Sequence, residues 1–182
     1  MRKRSLRVVI LTAFIMFSVV GIASADNHED VYFQHGYKSV TEALNESEKH
    51  FGRELNLPIK LPPVEFTHHF GKLSNPEGEI NDELEIEYLN LIKNNGKYHY
   101  KINVRPVEQK GNFKRTSRKV TTYLLKDGSE ALFISTKESN ARNGFNLLVF
   151  EKKGWQYRLS VDQRIENRVP VKMLVEIANS VK

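Results

Sequence analysis

The sequence predicts an α+β fold, an antiparallel meander sheet of about seven strands with an N-terminal and a C-terminal helix packed on one face. Two patterns predict it. Apolar residues recur at helical spacing in residues 39–52 and again in residues 170–182. Between these helices, seven short segments are either alternating or continuously apolar, and short turn sequences separate several of them, which indicates consecutive antiparallel strands.

The first predicted helix covers residues 39–52. Ser39 and Glu42 form the S-x-x-E pattern in which each side chain caps a backbone amide at the helix start, and Gly52 ends the helix. Its apolar face comprises Val40, Ala43, Leu44 and Phe51. Three prolines then prevent regular structure in residues 53–63, so we expect an extended lead-in to the sheet.

Seven segments are predicted as strands, and their order along the chain predicts a meander. They cover residues 64–70, 84–88, 98–105, 119–125, 130–136, 145–151 and 155–161. In the first of them, alternation places Val64, Phe66, His68 and Phe70 on one apolar face. Tight turns are predicted at Asn94-Asn95-Gly96, Asp127-Gly128 and Lys153-Gly154. The chain ends in a helix whose first turn contains Pro170.

Alternation also predicts which side chains face the core. In the last strand, Trp155, Tyr157, Leu159 and Val161 face in, whereas Gln156, Arg158, Ser160 and Asp162 face out. Glu85 and Glu87 are expected near Lys101 and Arg105 on a solvated face. Residues 131–134 and 147–150 are apolar on both faces, which places them centrally in the sheet. The predicted outward members of these runs are Leu132, Ile134, Leu148 and Phe150.

The start of the chain, residues 1–25, has the features of a secretory signal peptide. Its basic residues are Arg2, Lys3, Arg4 and Arg7. An uncharged run of 15 residues follows, and Ala23-Ser24-Ala25 is a small-x-small cleavage site. Because a spanning helix needs roughly 20 apolar residues, cleavage is favoured over a retained membrane anchor. Residues 26–38 are then a flexible leader, and residues 39–182 a single α+β domain.

Cleavage changes the charge of the protein. The whole chain has 28 basic and 22 acidic residues, and loss of the four basic residues of the signal segment leaves a net charge of +2. We therefore expect no nucleic-acid partner. The basic cluster at residues 114–119 is expected to be a solvated strand entry. The chain has no cysteine, which excludes disulfides, thiolate metal sites and catalytic thiols.

The C-terminal part resembles a known kind of domain. Residues 144–182 contain a strand, a turn before an aromatic residue, a W-x-Y-x-L-x-V strand, a polar connector and a helix ending in IANSV. With LNLPIKLP at residues 55–62, this pattern resembles a domain-of-unknown-function family in secreted and membrane-tethered proteins of Gram-positive, spore-forming bacteria. The resemblance covers most of the mature chain and implies fold and location, with no catalytic residues.

No pattern of catalytic or cofactor-binding residues is present in the sequence. It contains no G-x-S-x-G, no phosphate-binding glycine motif and no H-E-x-x-H. His68 and His69 are neighbours on a predicted strand and point to opposite faces, so they cannot share one metal ion. His50 and His99 are expected on the solvent side. We assign no catalytic, cofactor-binding or metal-binding residue and expect no cofactor.

These observations favour a secreted, non-catalytic extracytoplasmic module. We expect it to bind a protein partner, a wall polymer or a small apolar ligand, and to meet the membrane only through the signal segment if that segment is kept. The alternative is a cell-wall-acting hydrolase that uses a carboxylate pair from the acidic stretch at residues 77–87. A cleft with two close carboxylates would favour the hydrolase.

The processing site can be tested directly. We expect the mature protein from culture medium to begin at Asp26, because Ala23 and Ala25 fit the peptidase site. N-terminal sequencing of secreted protein checks this. A first residue of Met1, or protein found only in membranes, would contradict cleavage.

Cleavage there also creates a possible copper site. A free amine at Asp26, two backbone amides and the imidazole of His28 supply four nitrogens in the square-planar arrangement that suits Cu(II). We expect the mature protein to bind Cu(II) in vitro, more weakly as pH falls because the amine and imidazole must lose protons. Equal affinity in His28→Ala would reject the site. A mobile leader with no metal is the competing interpretation.

Overall fold

The structure, a computed structural model, describes residues 28–75, 81–92, 97–114, 119–136 and 144–182. These residues contain three α-helices, seven strands and two short 3-10 helices, Val107–Gln109 and Gln163–Ile165. The helices are α1 (His28–Gln34), α2 (Val40–Phe51) and α3 (Val171–Ala178). The strands are β1 (His68–Ser74), β2 (Glu83–Asn90), β3 (Tyr98–Pro106), β4 (Val120–Leu124), β5 (Glu130–Ser135), β6 (Phe145–Lys152) and β7 (Trp155–Asp162). The signal segment and the Asn94-Asn95-Gly96 turn lie outside the described residues, as does most of the basic cluster.

All seven strands belong to one antiparallel sheet with the order β1-β2-β3-β7-β6-β5-β4. The predicted antiparallel sheet of seven strands is therefore confirmed. Its order consists of two meanders, β1 to β3 and β4 to β7, which meet where β3 pairs with β7. The connection from β3 to β4 therefore runs to the far edge of the sheet. β7 is central, and all but one of its residues are buried.

The register defines two faces of the sheet. We call one the core face; a single row across it contains Gly71, Ile86, Ile102, Leu159, Leu148, Phe133 and Thr121. We call the other the polar face; the neighbouring row contains Lys72, Glu85, Asn103, Arg158, Val149, Leu132 and Thr122. Successive side chains alternate across a strand, so these two rows assign all the remaining strand residues to one face or the other.

The predicted ends of α2 are confirmed. The backbone amide of Ser39 donates to Glu42 Oε2 at 3.1 Å, and the amide of Glu42 donates to Ser39 Oγ at 3.3 Å. Gly52 has a φ of 66°, the left-handed conformation in which glycine ends helices at low cost. The predicted turn before β7 is present too, since Lys153 and Gly154 have φ values of 49° and 80°.

The first predicted strand is wrong in its start and in its face. β1 begins at His68 instead of Val64, because Val64 donates to the carbonyl of Pro62 at 2.8 Å in a turn. Val64 and Phe66 still pack against the core as irregular chain. Phe70 pairs with Glu87 and so lies on the polar face, where it is buried. The turn breaks the alternation that the sequence suggested.

Two predicted outward residues are also wrong. Leu148 and Phe150 lie on the core face and are 0% and 2% exposed. Within residues 147–150, the residues on the polar face are Leu147 and Val149. The turn at residues 153–154 pairs Phe150 with Tyr157, and a shift of one residue in register exchanges the faces of a whole strand. Leu132 and Ile134 are on the polar face, as predicted.

Aromatic residues of β7 form hydrogen bonds with the extended segment that follows α2, residues 53–63. Trp155 faces the core as predicted and is 2% exposed, and its indole nitrogen donates to the carbonyl of Glu54 at 3.0 Å. The guanidinium of Arg53 lies 4.1 Å from the centre of the Trp155 ring. Tyr157 donates to the carbonyl of Asn56 at 2.8 Å. These bonds satisfy backbone groups of a segment that has no ladder of its own.

Replacement of Trp155 tests how much this buried ring contributes to stability. We expect Trp155→Ala to lower the free energy of unfolding by about 3–5 kcal/mol, because it removes a large buried side chain and leaves a cavity. Denaturant unfolding measures the change. The exposed Ile59→Ala is the matched control and should change stability by less than about 0.5 kcal/mol. A loss below about 1 kcal/mol in Trp155→Ala would contradict the burial of the ring.

The close approach of α2 to β1 depends on Gly71. A Cβ atom built there would lie 2.6 Å from Ala43 Cβ and 3.2 Å from Val40 Cα. We expect Gly71→Ala to lower stability by about 1–3 kcal/mol because the helix must move away. Adding Ala43→Gly should recover part of the loss, although a helical glycine itself costs about 1 kcal/mol. Strictly additive effects in denaturant unfolding would contradict the contact.

Candidate functional site

The polar face carries three carboxylates in a row, Glu83, Glu85 and Glu87 of β2, which we call the carboxylate ladder. Residues two apart on a strand share a face, so the Glu-x-Glu-x-Glu pattern alone places them together. Burial is deepest at Glu87, which is 2% exposed. The expectation of a solvated face is therefore wrong: Asn103, Gln156, Ser160 and Asp162 of the same face are buried as well.

Side chains of β3 and β7 neutralise the ladder. Lys101 Nζ lies 3.5 Å from Glu85 Oε1 and 3.2 Å from Glu87 Oε2. Arg105 contacts Glu83 directly, and Arg158 lies 3.5 Å from the same carboxylate. The three carboxylates thus meet three permanent cations. Lys101 confirms the predicted pairing, whereas Arg105 pairs with Glu83 instead of Glu85 or Glu87.

Two neutral or titratable groups complete the network. Asn103 Nδ2 donates to Glu83 at 3.0 Å and to Glu85 at 3.2 Å, so one amide links two rungs of the ladder. His99 Nδ1 lies 2.6 Å from Glu87 Oε1. The prediction that His99 is simply a solvent-side residue is wrong, since it is half-buried and bound to the deepest carboxylate. A buried carboxylate requires such partners because its desolvation is costly.

Helix α1 covers one side of the ladder. The Tyr32 ring stacks on Phe70 with 4.6 Å between ring centres, and the Tyr37 hydroxyl donates to Glu85. Lys72 Nζ donates to the carbonyl of His35 at 2.8 Å. α1 lies within the range predicted as a leader, and its aromatic residues pack against Phe70. This packing shields the carboxylates from water.

The ionisation states follow from burial and partners. Burial, with the negative charge of Glu87, raises the pKa of Tyr32 to about 12, and burial with the hydrogen bond to Glu85 raises the pKa of Tyr37 further. Burial alone would raise the pKa of Glu87, but the hydrogen bond from His99 and the charge of Lys101 outweigh it and lower the pKa. At neutral pH both phenols therefore keep their protons, and Glu87 is ionised.

A cavity of about 700 Å³ opens on the other half of the polar face. Its lining includes Leu132 of β5, Val149 of β6 and Phe113 of the connection after β3. Two ion pairs stand among the lining residues. Lys110 Nζ lies 2.8 Å from Glu151 Oε1, and Lys114 Nζ lies 3.2 Å from Glu130 Oε2.

Gln156 holds the chain that forms one wall of the cavity. Its side-chain oxygen accepts from the amide of Gly111 at 2.8 Å, and its side-chain nitrogen donates to the carbonyl of Gly111 at 3.1 Å. This two-bond pairing imitates a strand ladder and fixes the connection above β7. The cavity wall is therefore positioned by a buried side chain of the central strand.

The four predicted contact residues lie in different surroundings from one another. Leu132 lines the cavity, and Ile134 lies on the same face but is only 3% exposed. Phe150 borders the cavity, yet its ring stacks on Tyr157 with 5.0 Å between ring centres, and Leu148 is in the core. The residues that sequence reasoning missed are Phe113, Val149 and Gln156. Only Val149 had a signal, through its place in a run that is apolar on both faces.

The histidines whose side chains the structure describes do not converge on a metal site. His68 and His69 point to opposite faces as predicted, since their strand partners are Leu89 and Tyr88. Among the described residues, no three His, Asp or Glu side chains are grouped in a way that could hold a metal ion. The side chain of His28 lies outside the described part of the molecule. No helix within the described ranges is long and apolar enough to cross a membrane.

Comparisons with known proteins yield no relative. No family model, no curated protein and no solved structure matches the chain.

Replacement of the buried carboxylate tests the network. We expect Glu87→Gln to lower the free energy of unfolding by about 1–3 kcal/mol at pH 7, since it leaves Lys101 and His99 without their buried partner. The exposed Glu176→Gln, whose carboxylate lies 3.5 Å from Lys60, is the control and should cost less than about 1 kcal/mol. Equal effects of the two variants in denaturant unfolding would contradict the network.

Comparison of the native protein with Glu87→Gln also gives a pH prediction. The pKa of Glu87 is lower in the folded protein than its unfolded value of about 4.3. Its contribution is therefore complete above the unfolded pKa and is lost as pH falls through the folded pKa. We expect the stability difference between the native protein and Glu87→Gln to shrink below about pH 4. A difference that widens on acidification would contradict the sign of the shift.

Proposed function

We propose that the protein is a non-catalytic extracytoplasmic module that binds an apolar group in the cavity over Leu132 and Val149. The observation that carries this proposal is the cavity itself, of about 700 Å³, with aliphatic and aromatic side chains in its lining. Ligand sites are typically concave, mostly apolar and about 300–1,000 Å³ in volume, with few polar groups for orientation.

The polar side chains in the cavity lining favour an amphiphilic ligand. Lys110 and Lys114 are each paired with a glutamate, and all four side chains are about half exposed or more. Ion pairs at such positions contribute only about 0–1 kcal/mol, so a ligand can replace one partner at little cost. An apolar group would contact Phe113 and Leu132, while a polar end meets the charges. This chemistry suits a small apolar ligand or an apolar side chain of a protein partner better than a wall polymer rich in hydroxyl groups.

The location and the packing of the helices belong to the same proposal. A signal segment at residues 1–25 and the resemblance of the C-terminal region support secretion. Ala43 of α2 lies beside Gly71, and Leu174 of α3 belongs to the same apolar cluster as Leu159. These contacts support an arrangement in which both helices cover the core face. The polar face would then remain for binding.

The hydrolase alternative rests on the carboxylate ladder, where Glu83, Glu85 and Glu87 share a face. A glycosidase of this type needs one carboxyl with a raised pKa as general acid. Here each carboxylate is ion-paired, and the pKa of Glu87 is lowered. This arrangement favours the binding module over the hydrolase. We expect purified protein to release no soluble fragments from bacterial cell walls, and release that Glu87→Gln abolishes would support the hydrolase instead.

Binding at the cavity can be tested with a fluorescent probe. We expect anilinonaphthalene sulfonate, an aromatic anion, to bind the folded protein and fluoresce, and Leu132→Glu to weaken binding about tenfold or more by placing a charge among the apolar lining residues. Ile59→Glu is the matched control, because Ile59 is 69% exposed and is not among the residues that line the cavity. Equal binding in the two variants would contradict the cavity as the site, provided that both unfold cooperatively.

A further inference from the structure

The two edges of the sheet differ in how they are protected. At the β1 edge, the amide of Lys38 donates to the carbonyl of Gly71 at 2.8 Å, and the amide of Gly71 donates to Lys38 at 2.9 Å. The segment before α2 thus pairs with that edge. At the other end of the sheet, no described strand pairs with the outer side of β4. Unpaired strand edges attract further strands unless they are covered or carry charges.

The backbone groups that β4 offers can be identified from the hydrogen bonds around it. The amide of Leu125 donates to the carbonyl of Ser129 at 2.9 Å at the end of the β4–β5 hairpin. Bonding alternates along an antiparallel pair, so Tyr123 and Thr121 bond to β5. Val120, Thr122 and Leu124 therefore direct their N–H and C=O groups away from the sheet.

The bonds of the next strand support this assignment. The amide of Thr136 donates to the carbonyl of Phe145 at 2.8 Å, so the same alternation directs Leu132 and Ile134 of β5 toward β6. That leaves the backbone groups of Ala131 and Phe133 for β4, opposite Tyr123 and Thr121. Two independent hydrogen bonds thus give the same outward set.

The side chains of β4 lack the usual protection of an edge. The strand has no charged residue and no proline, and Leu124 is 70% exposed. Lysine residues flank it at Lys119 and Lys126, and neither is in an ion pair with a described residue. Edge strands that avoid association usually carry a charge or a proline within the strand itself.

We infer that the open edge of β4 binds an extended segment of another protein, with alternating β-branched or apolar residues and a carboxylate near each end. The segment would add an eighth strand and bond to Val120, Thr122 and Leu124. This inference is independent of the cavity and extends the proposed function to a second surface.

Charge decides between this partner and a second copy of the chain. Two β4 strands in antiparallel self-pairing would set Val120 opposite Leu124 and bring Lys119 of one copy beside Lys126 of the other at both ends. Like charges in adjacent strands are destabilising. Acidic residues at the ends of the incoming segment would instead meet both lysines. The flanking charges therefore select a foreign acidic segment over self-association.

The test uses the full-length secreted protein, labelled with ¹⁵N, and a blocked peptide of about seven residues, Asp-Thr-Val-Thr-Val-Thr-Asp. We expect the peptide to shift amide resonances of β4 and to slow hydrogen exchange at Val120, Thr122 and Leu124 about tenfold or more, because these amides become bonded. A peptide with the same side chains and alternate N-methyl amides is the control, and it should not bind. Shifts confined to other strands, or equal binding of both peptides, would overturn the inference.

Two variants separate the backbone from the charges. Thr122→Pro removes an outward N–H while the bonds of β4 to β5 remain, and it should weaken peptide binding about tenfold or more; Thr122→Val keeps the N–H and should bind normally. The pair Lys119→Glu with Lys126→Glu leaves the backbone intact and should reverse the preference toward a peptide with lysine ends. Unchanged preference would overturn the role of charge. A dimer in sedimentation that Thr122→Pro abolishes would assign the edge to a second copy instead.

Discussion

The pairing of β3 with β7 is the interaction on which the rest of the molecule depends. It joins a meander of three strands to a meander of four, and it pairs the second edge of the last strand in each meander. On the core face it brings Ile102 against Leu159, and on the polar face it brings Asn103 against Arg158. One ladder of backbone bonds therefore assembles the apolar core and the polar network at the same time.

The polar face is divided into two halves with different physical solutions to the same problem. Over β2 and β3, carboxylates are buried, and their desolvation is offset by cations, an amide and the phenols of Tyr32 and Tyr37. Over β5 and β6, Leu132 and Val149 form an apolar part of the face, and a cavity lies between them and the connection after β3. Gln156 and Arg158 of β7 lie at the boundary, where one contacts the cavity wall and the other contacts Glu83. The charges over β2 and β3 are thus partly or fully buried, whereas the charged side chains around the cavity are about half exposed or more.

The connection between β3 and β4 links these features to the edge of the sheet. It leaves the centre at Pro106, and residues 110–114 line the cavity on the polar face. β4 then lies at the outermost position of the sheet. Because β7 occupies the position next to β3, the chain after β3 must connect to β4 at the far edge of the sheet. The cavity lies between the centre of the sheet and the β4 edge, where no described strand pairs, while at the opposite edge Lys38 pairs with Gly71.

Local physical rules explain why much of the fold was predictable from the sequence. The capping box of Ser39 and Glu42, the left-handed Gly52 and the turn at Lys153-Gly154 depend on residues a few positions apart, so the sequence determined them. Alternation likewise determined that Trp155 and Leu159 face the core. Of the candidate site, the sequence indicated the apolar character of Leu132 and its neighbours and the pairing of Glu85 and Glu87 with Lys101.

The tertiary structure decided what alternation and spacing leave open. The pairing of β7 with β3, the contact of Glu87 with His99, and the two hydrogen bonds between Gln156 and Gly111 all join residues more than ten positions apart. The faces of Leu148 and Val149 depended on the register of β6 against β7. A segment that is apolar at every position has no alternation from which its faces could be predicted. The sequence therefore determined the α+β class and most of the elements, although not α1 or the start of β1. Only the packed sheet decided which charges are buried and where the cavity and the β4 edge lie.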